Sequence, residues 1–217
     1  MKKNNQKNLY VSLSMIALFL LWTLLIRCVD VRAIGPMAST VGFATINQFV
    51  HEFTGVNMTL YIITDWLGLV PIFLALGFAL LGLFQMIKRK RLKTVDYNIY
   101  VLGGFYIVVI AIYFLFQMIV VNYRPILING YLEPSYPSST TLLVMTVMPT
   151  AIMQFKARIN NNLLRKLVNF IITIFIIFMV IGRLISGVHW FTDLVGGAIL
   201  STGLVMMYRY VVDLNNK

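Results

Sequence analysis

A helix needs about 20 predominantly apolar residues to cross the hydrocarbon of a bilayer, and this chain has six stretches that meet the requirement. They lie at 9–26, 67–87, 99–121, 138–155, 167–185 and 194–212. Only 12% of the residues are charged and the mean hydropathy is +0.84, against about 25% charged in soluble domains. The sequence therefore predicts an all-α integral membrane protein with six transmembrane helices, and it excludes a soluble globule and a disordered chain. Its net charge of +11 fits basic flanks of membrane spans better than a nucleic-acid surface. A single cysteine, Cys28, excludes a disulfide framework.

The basic residues fix an orientation. With a cytoplasmic N-terminus, Lys2, Lys3, Lys7, the run KRKRLK at 88–93, Lys156, Arg158, Arg165, Lys166, Arg209 and Lys217 all fall inside. The inner side then carries 14 of the 18 basic residues and a net charge of +12, the outer side −1. That asymmetry predicts cytoplasmic N- and C-termini. The opening MKKNNQKN and the apolar run behind it look like a secretion signal, but no small-residue cleavage site follows and IRCVDVR closes the run. A retained anchor is expected.

The longest stretch outside the spans, 27–65, is external in this scheme and too apolar for a plain linker. Ile46, Phe49, Val50 and Phe53 fall at i, i+3, i+4 and i+7, the stripe of an amphipathic helix with Ser39 or Thr40 as cap and Gly55 as stop. His51 and Glu52 lie off the stripe. The helix suits either an interfacial position in the outer leaflet or a lid over a site. No repeat or second domain is visible, so residues 1–217 read as one six-span domain. Trp22, Trp66, Trp190, Tyr208 and Tyr210 stand near span ends, as aromatic belts do, and Gly196-Gly197 predicts close packing of the last span.

Chemistry concentrates at the outer ends of the spans. Arg124 in VNYRP and Arg183 in GRLISGVHWFTD need anionic partners if they are desolvated, and Asp193 cannot serve both. An exogenous phosphate suits their planar donor forks; snorkelling to lipid headgroups is the alternative. His189 and Asp193, spaced i, i+4, share a helix face. A carboxylate on one ring nitrogen fixes the tautomer and frees the other as nucleophile or base, although such a pair can also simply satisfy itself. EPSYPSST at 133–140 opens the fourth span with a turn and cap whose amides and hydroxyls also form an anion cradle.

In order and spacing these three pieces resemble the signature of the type 2 phosphatidic acid phosphatase family, membrane relatives of the vanadium haloperoxidases. That family shows a Lys seven residues before Arg-Pro, then Pro-Ser-Gly-His, then Ser-Arg, five residues, His, three residues and Asp. This chain has Gln117 before Arg124-Pro125, then Pro137-Ser138-Ser139-Thr140, then Gly182-Arg183, LISGV, His189, WFT and Asp193. The resemblance covers roughly 67–212, with the motifs at 117–193. It implies the six-span layout, a plasma-membrane location and a site facing outward. It also implies His189 as a nucleophile forming a phosphohistidine, Asp193 as its orienter, and Arg124, Arg183 and Ser138 as phosphate holders beside Ser139, Gln117 and Thr140. It implies no metal and no cofactor, and two histidines in the whole chain, His51 and His189, cannot furnish a multi-histidine metal site.

Three positions depart from the pattern: Gln117 for Lys, Thr140 for His and Gly182 for Ser. The family's His protonates the leaving oxygen, work worth about 10²–10⁴-fold, and Thr cannot do it at neutral pH. A lipid diphosphate expels a phosphate monoester whose second pKa is about 6, so it needs that acid far less than a lipid monophosphate does. The expected substrate is therefore a polyprenyl diphosphate lipid carrier rather than phosphatidic acid. His51 is a possible substitute acid. The rival reading is a catalytically impaired relative that binds a phosphorylated lipid as sensor or scaffold. A small transporter fits less well, since the charges cluster at span ends. The oligomeric state, the lipid chain, and hydrolysis versus phosphotransfer stay open.

Overall fold

A computed structural model describes residues 2–91 and 95–215. Lys93 and Lys217 of the basic clusters lie outside the described residues, as do the side chains of Lys2 and Lys3. The described residues form eight α-helices and no strand: α1 Lys2–Cys28, α2 Ala44–Thr54, α3 Met58–Leu67, α4 Leu69–Arg89, α5 Tyr97–Met118, α6 Ser139–Arg158, α7 Asn162–Ile185 and α8 Phe191–Leu214. The all-helical expectation holds. Five runs are long and apolar enough to cross a membrane: α1 from Asn5, α3 with α4 as Met58–Arg89, α5, α7 and α8.

The sequence places a sixth span at 138–155, and α6 does occupy that position with 20 residues, yet it is not among those five. The reason is its surroundings. Buried Thr141, Thr146, Thr150 and Gln154 alternate with buried Leu142, Val144, Val147, Met148 and Ala151, because α6 packs against α4, α5, α7 and α8 and presents little of itself to lipid. Its hydroxyls are satisfied internally: Thr146 Oγ1 donates to the Leu142 carbonyl at 2.7 Å and Thr150 Oγ1 to the Thr146 carbonyl at 3.0 Å.

The second span begins earlier than expected. The helical run starts at Met58 rather than 67, passing through Gly68 (φ −60°, ψ −18°) into α4. Tyr61, Thr64 and Asp65 interrupt the apolar pattern there, and they do so because they face Arg183 instead of lipid, as shown below.

α1 lies along α8, its most extensive partner. Gly203 permits this, since a Cβ there would stand 3.1 Å from Met15 Cβ and Ile16 Cγ1, and Ser12 Oγ donates to the Gly203 carbonyl at 2.8 Å. Likewise a Cβ at Gly196 would stand 2.4 Å from the Tyr136 ring, so the Gly-Gly pair packs α8 against the segment before α6. Two expected belt aromatics point inward: Trp22 Nε1 donates to the Thr192 carbonyl at 3.3 Å and Trp190 Nε1 to the Tyr123 carbonyl at 2.8 Å.

The amphipathic helix predicted in 27–65 is α2, and Gly55 (φ 65°) stops it. Its cap is neither Ser39 nor Thr40. The N-cap is Phe43, in the left-handed region, and the Thr45 N–H donates to Asp30 Oδ2 at 2.6 Å, so a carboxylate from the loop after α1 does the capping. Ile46, Phe49 and Phe53 are exposed while Ala44 and Asn47 are buried. Asn47 ties α2 to α8: its Nδ2 donates to Thr192 Oγ1 at 2.9 Å, and its Oδ1 accepts from the Thr192 N–H at 3.1 Å.

Candidate active site

The loop between α7 and α8 carries the imidazole. Gly187 has φ +66°, and a Cβ there would come 2.1 Å from the Gly55 carbonyl oxygen; only glycine allows the loop to press on the end of α2. His189, two residues on, is 3% exposed. Its Nδ1 lies 3.1 Å from the Ser135 carbonyl oxygen and its Nε2 lies 3.4 Å from Arg124 Nη1. A carbonyl only accepts and a guanidinium only donates, so this geometry selects the neutral tautomer with the proton on Nδ1 and the lone pair on Nε2. Burial first, then the positive charges of Arg124 and Arg183, hold His189 well below the ordinary histidine value.

Asp193 has a different emphasis from the one its spacing suggests. Its Oδ2 lies 3.7 Å from His189 Nδ1, beyond hydrogen-bond reach, and accepts instead from the Trp190 N–H at 2.9 Å. Asn122 Nδ2 donates to its Oδ1 at 3.4 Å. Asp193 therefore anchors the first turn of α8 and leaves the direct hold on the ring to the Ser135 carbonyl. That carbonyl is fixed by antiparallel pairing of 122–124 with 133–135: the Arg124 N–H donates to the Glu133 carbonyl at 3.0 Å and the Ser135 N–H to the Asn122 carbonyl at 2.9 Å.

Both arginines are buried, Arg124 at 9% and Arg183 at 1% exposure. The reading that Asp193 cannot serve both stands beside a carboxylate near each arginine that the sequence did not assign to it. Arg124 Nε lies 3.0 Å from Glu133 Oε2, although no hydrogen-bond geometry results and the Nε stays without a partner. Arg183 Nη1 lies 3.7 Å from Asp65 Oδ1 and donates to Thr64 Oγ1 at 3.4 Å, while its head rests 4.9 Å from the Tyr61 ring centroid. Its Nε is also buried without a partner. Gly182 makes room for this arrangement, because a Cβ there would meet Thr64 Cγ2 at 2.8 Å.

The other residues singled out in the sequence divide. Gln117 and Ser139 line one small pocket with His189, Ser135, Tyr136 and Pro134. Ser138 does not line it: fully buried, it accepts from the Thr141 N–H at 3.4 Å and caps α6, while its own N–H donates to the Asp193 carbonyl at 3.1 Å. Thr140, in the first turn of α6, is half-buried and off that pocket. The ring of His51 packs 5.4 Å from that of Trp190, and its Nδ1 is buried without a partner. Burial holds it below the ordinary histidine value against the opposing pull of Glu52. Among the described residues no three His, Cys, Asp or Glu side chains group to hold a metal ion.

The spacing did not disclose Ser135, Asn122, Glu133, Tyr61, Thr64 and Asp65. The one available signal was the polar interruption of an apolar run by Tyr61, Thr64 and Asp65.

Residues 119–217 match the family model described as PAP2 superfamily. The matched segment takes in the loop before α6 and the helices α6, α7 and α8. The matched segment contains Arg124, Ser138, Ser139, Thr140, Arg183, His189 and Asp193; Gln117, His51 and the partners of Arg183 on α3 lie before it. Across 96% of this chain and 98% of the other, the fold is similar to the crystal structure of the first transmembrane PAP2 type phosphatidylglycerolphosphate phosphatase from Bacillus subtilis, with a TM-score of 0.60 at 19% identity. At that identity the likeness is one of fold. No curated protein matches the chain.

Proposed function

We propose that the protein is a lipid phosphatase of the plasma membrane, with six spans, both termini cytoplasmic and the His189 site facing outward. The observation that carries this reading is the buried imidazole of His189, its proton directed to the Ser135 carbonyl and its Nε2 lone pair directed to Arg124. Arg124 and Arg183 each keep a buried Nε–H that makes no hydrogen bond, the donors a phosphoryl group satisfies.

In the proposed reaction, Nε2 attacks phosphorus in line with the leaving oxygen. The P–N bond forms as the P–O bond breaks, giving a phosphohistidine, and the imidazolium keeps its Nδ1 proton, which it donates to the Ser135 carbonyl. Water then attacks phosphorus, the P–N bond breaks, inorganic phosphate departs and His189 returns to its neutral form. The contact from Arg124 Nη1 is long at 3.4 Å, so moving that donor from Nε2 to a phosphoryl oxygen costs little. Opposing positive charge falls where the transition state gathers negative charge.

Since Thr140 offers no acid, the leaving group must depart unprotonated. This favours a polyprenyl diphosphate, which releases a monoester dianion, over phosphatidic acid, which releases an alkoxide. His51, packed on Trp190 next to His189, is the substitute acid we assign for poorer leaving groups. The second reading, a lipid-binding protein with impaired chemistry, is favoured by uncharged Gln117 in the pocket and by Thr140. A single-turnover reaction with substrate labelled in its terminal phosphate, quenched in base, decides between them. The account expects a base-stable, acid-labile label on the protein that His189→Ala removes. Binding of the substrate without label transfer supports the second reading.

A further inference from the structure

The two buried arginines are partnered asymmetrically. Their own side chains are 11% and 2% exposed, whereas those of Glu133 and Asp65 are 41% and 60% exposed. Neither carboxylate makes a hydrogen bond with its guanidinium: one stands 3.0 Å from Nε out of line, the other 3.7 Å from Nη1. Each can turn into water at little cost, and the arginines cannot. Nor do the arginines depend on them for position. Arg183 is held by Thr64 and the face of Tyr61, and Arg124 by the backbone pairing of 122–124 with 133–135 and by His189.

Building on the phosphatase reading, we propose that Glu133 and Asp65 compete with the phosphate group for Arg124 and Arg183, and so set the affinity of the site for its anion. Both carboxylates carry charge of the same sign as the ligand, Glu133 against Arg124 Nε and Asp65 beside Nη1 of Arg183. A phosphate that takes the two Nε–H groups displaces Glu133 from Arg124 and meets the repulsion of Asp65 beside Arg183. Glu133 and Asp65 thus weaken anion binding, whereas carboxylates that orient a guanidinium would strengthen it. The two roles predict opposite signs.

Equilibrium dialysis of radiolabelled inorganic phosphate against the full chain in detergent, at pH 8 and low ionic strength, separates them. Glu133→Gln and Asp65→Asn should each lower Kd by about two- to fivefold, the worth of an exposed ion pair, and the double variant should lower it further. The gain should shrink as salt is raised. Glu133→Ala and Asp65→Ala carry the same sign, because the charge rather than the shape is responsible. Asp213→Asn, at the far end of α8 where Asn8 is its partner, should leave Kd unchanged. A Kd that is unchanged or raised in the Glu133 and Asp65 variants overturns the proposal while leaving the phosphatase reading intact. If the wild-type chain binds no phosphate, or if Arg124→Ala leaves binding unaltered, the reading of the site falls and the proposal falls with it.

Discussion

The contacts of His189 each admit one role, and from them follows a pH dependence. Burial and the two arginines depress its pKa below the ordinary value of 6.5, so between that value and its folded pKa the nucleophile stays neutral while the unfolded chain takes up a proton. Turnover should therefore persist below pH 6.5, with the acid limb of kcat/KM beneath the ordinary histidine range. Fold stability should fall with pH over the same interval, because the unfolded state binds the proton first. Arg124→Gln removes one cause of the depression and should move the limb upward; a limb at or above 6.5 in the wild type contradicts the assignment. At this scale the ring, both arginines and Asp193 were legible, since each is a costly polar group at the end of an apolar run. Their partners were not. The Ser135 carbonyl is backbone and has no sequence signal, and Asp65 and Glu133 are ordinary surface carboxylates until the fold brings them to the arginines.

Helices and the loops between them decide whether the imidazole points at anything. The α7–α8 loop is set by Gly187, whose positive φ and 2.1 Å Cβ approach to the Gly55 carbonyl leave no space for a side chain. Gly187→Ala should destabilise the protein by about 1–3 kcal/mol from the backbone conformation alone, lower its melting temperature in detergent, and cut activity by misplacing His189. An unchanged melting temperature and rate would show that the loop is not under this constraint. The helix pattern was readable where one face meets lipid, as in α7, predicted at 167–185 and found at Asn162–Ile185. It failed where lipid is not the neighbour. α3 was missed as a helix because its polar residues serve Arg183, and the cap of α2 was misassigned because Asp30 arrives from the loop just after α1, 15 residues before the Thr45 it caps.

At the scale of the whole molecule, one end of the bundle carries the site and the other its own polar anchors. Asp96 accepts there from Gln85 Nε2 at 2.8 Å and Arg89 Nη1 at 3.0 Å, and Tyr97 Oη donates to the Val211 carbonyl at 3.3 Å. Hydropathy identified the membrane class directly. What hydropathy could not rank was α6, whose hydroxyl-rich composition reflects burial by its neighbours. The central claim is a His189-dependent phosphatase suited to a leaving group that needs no acid. It is tested most directly by phosphate release from purified protein in chelator, with a polyprenyl diphosphate and phosphatidic acid compared side by side and His189→Ala as control. The account predicts release from the diphosphate, much slower release from phosphatidic acid, and loss of both in the variant. Comparable rates on the two substrates, or release that survives His189→Ala, would contradict it.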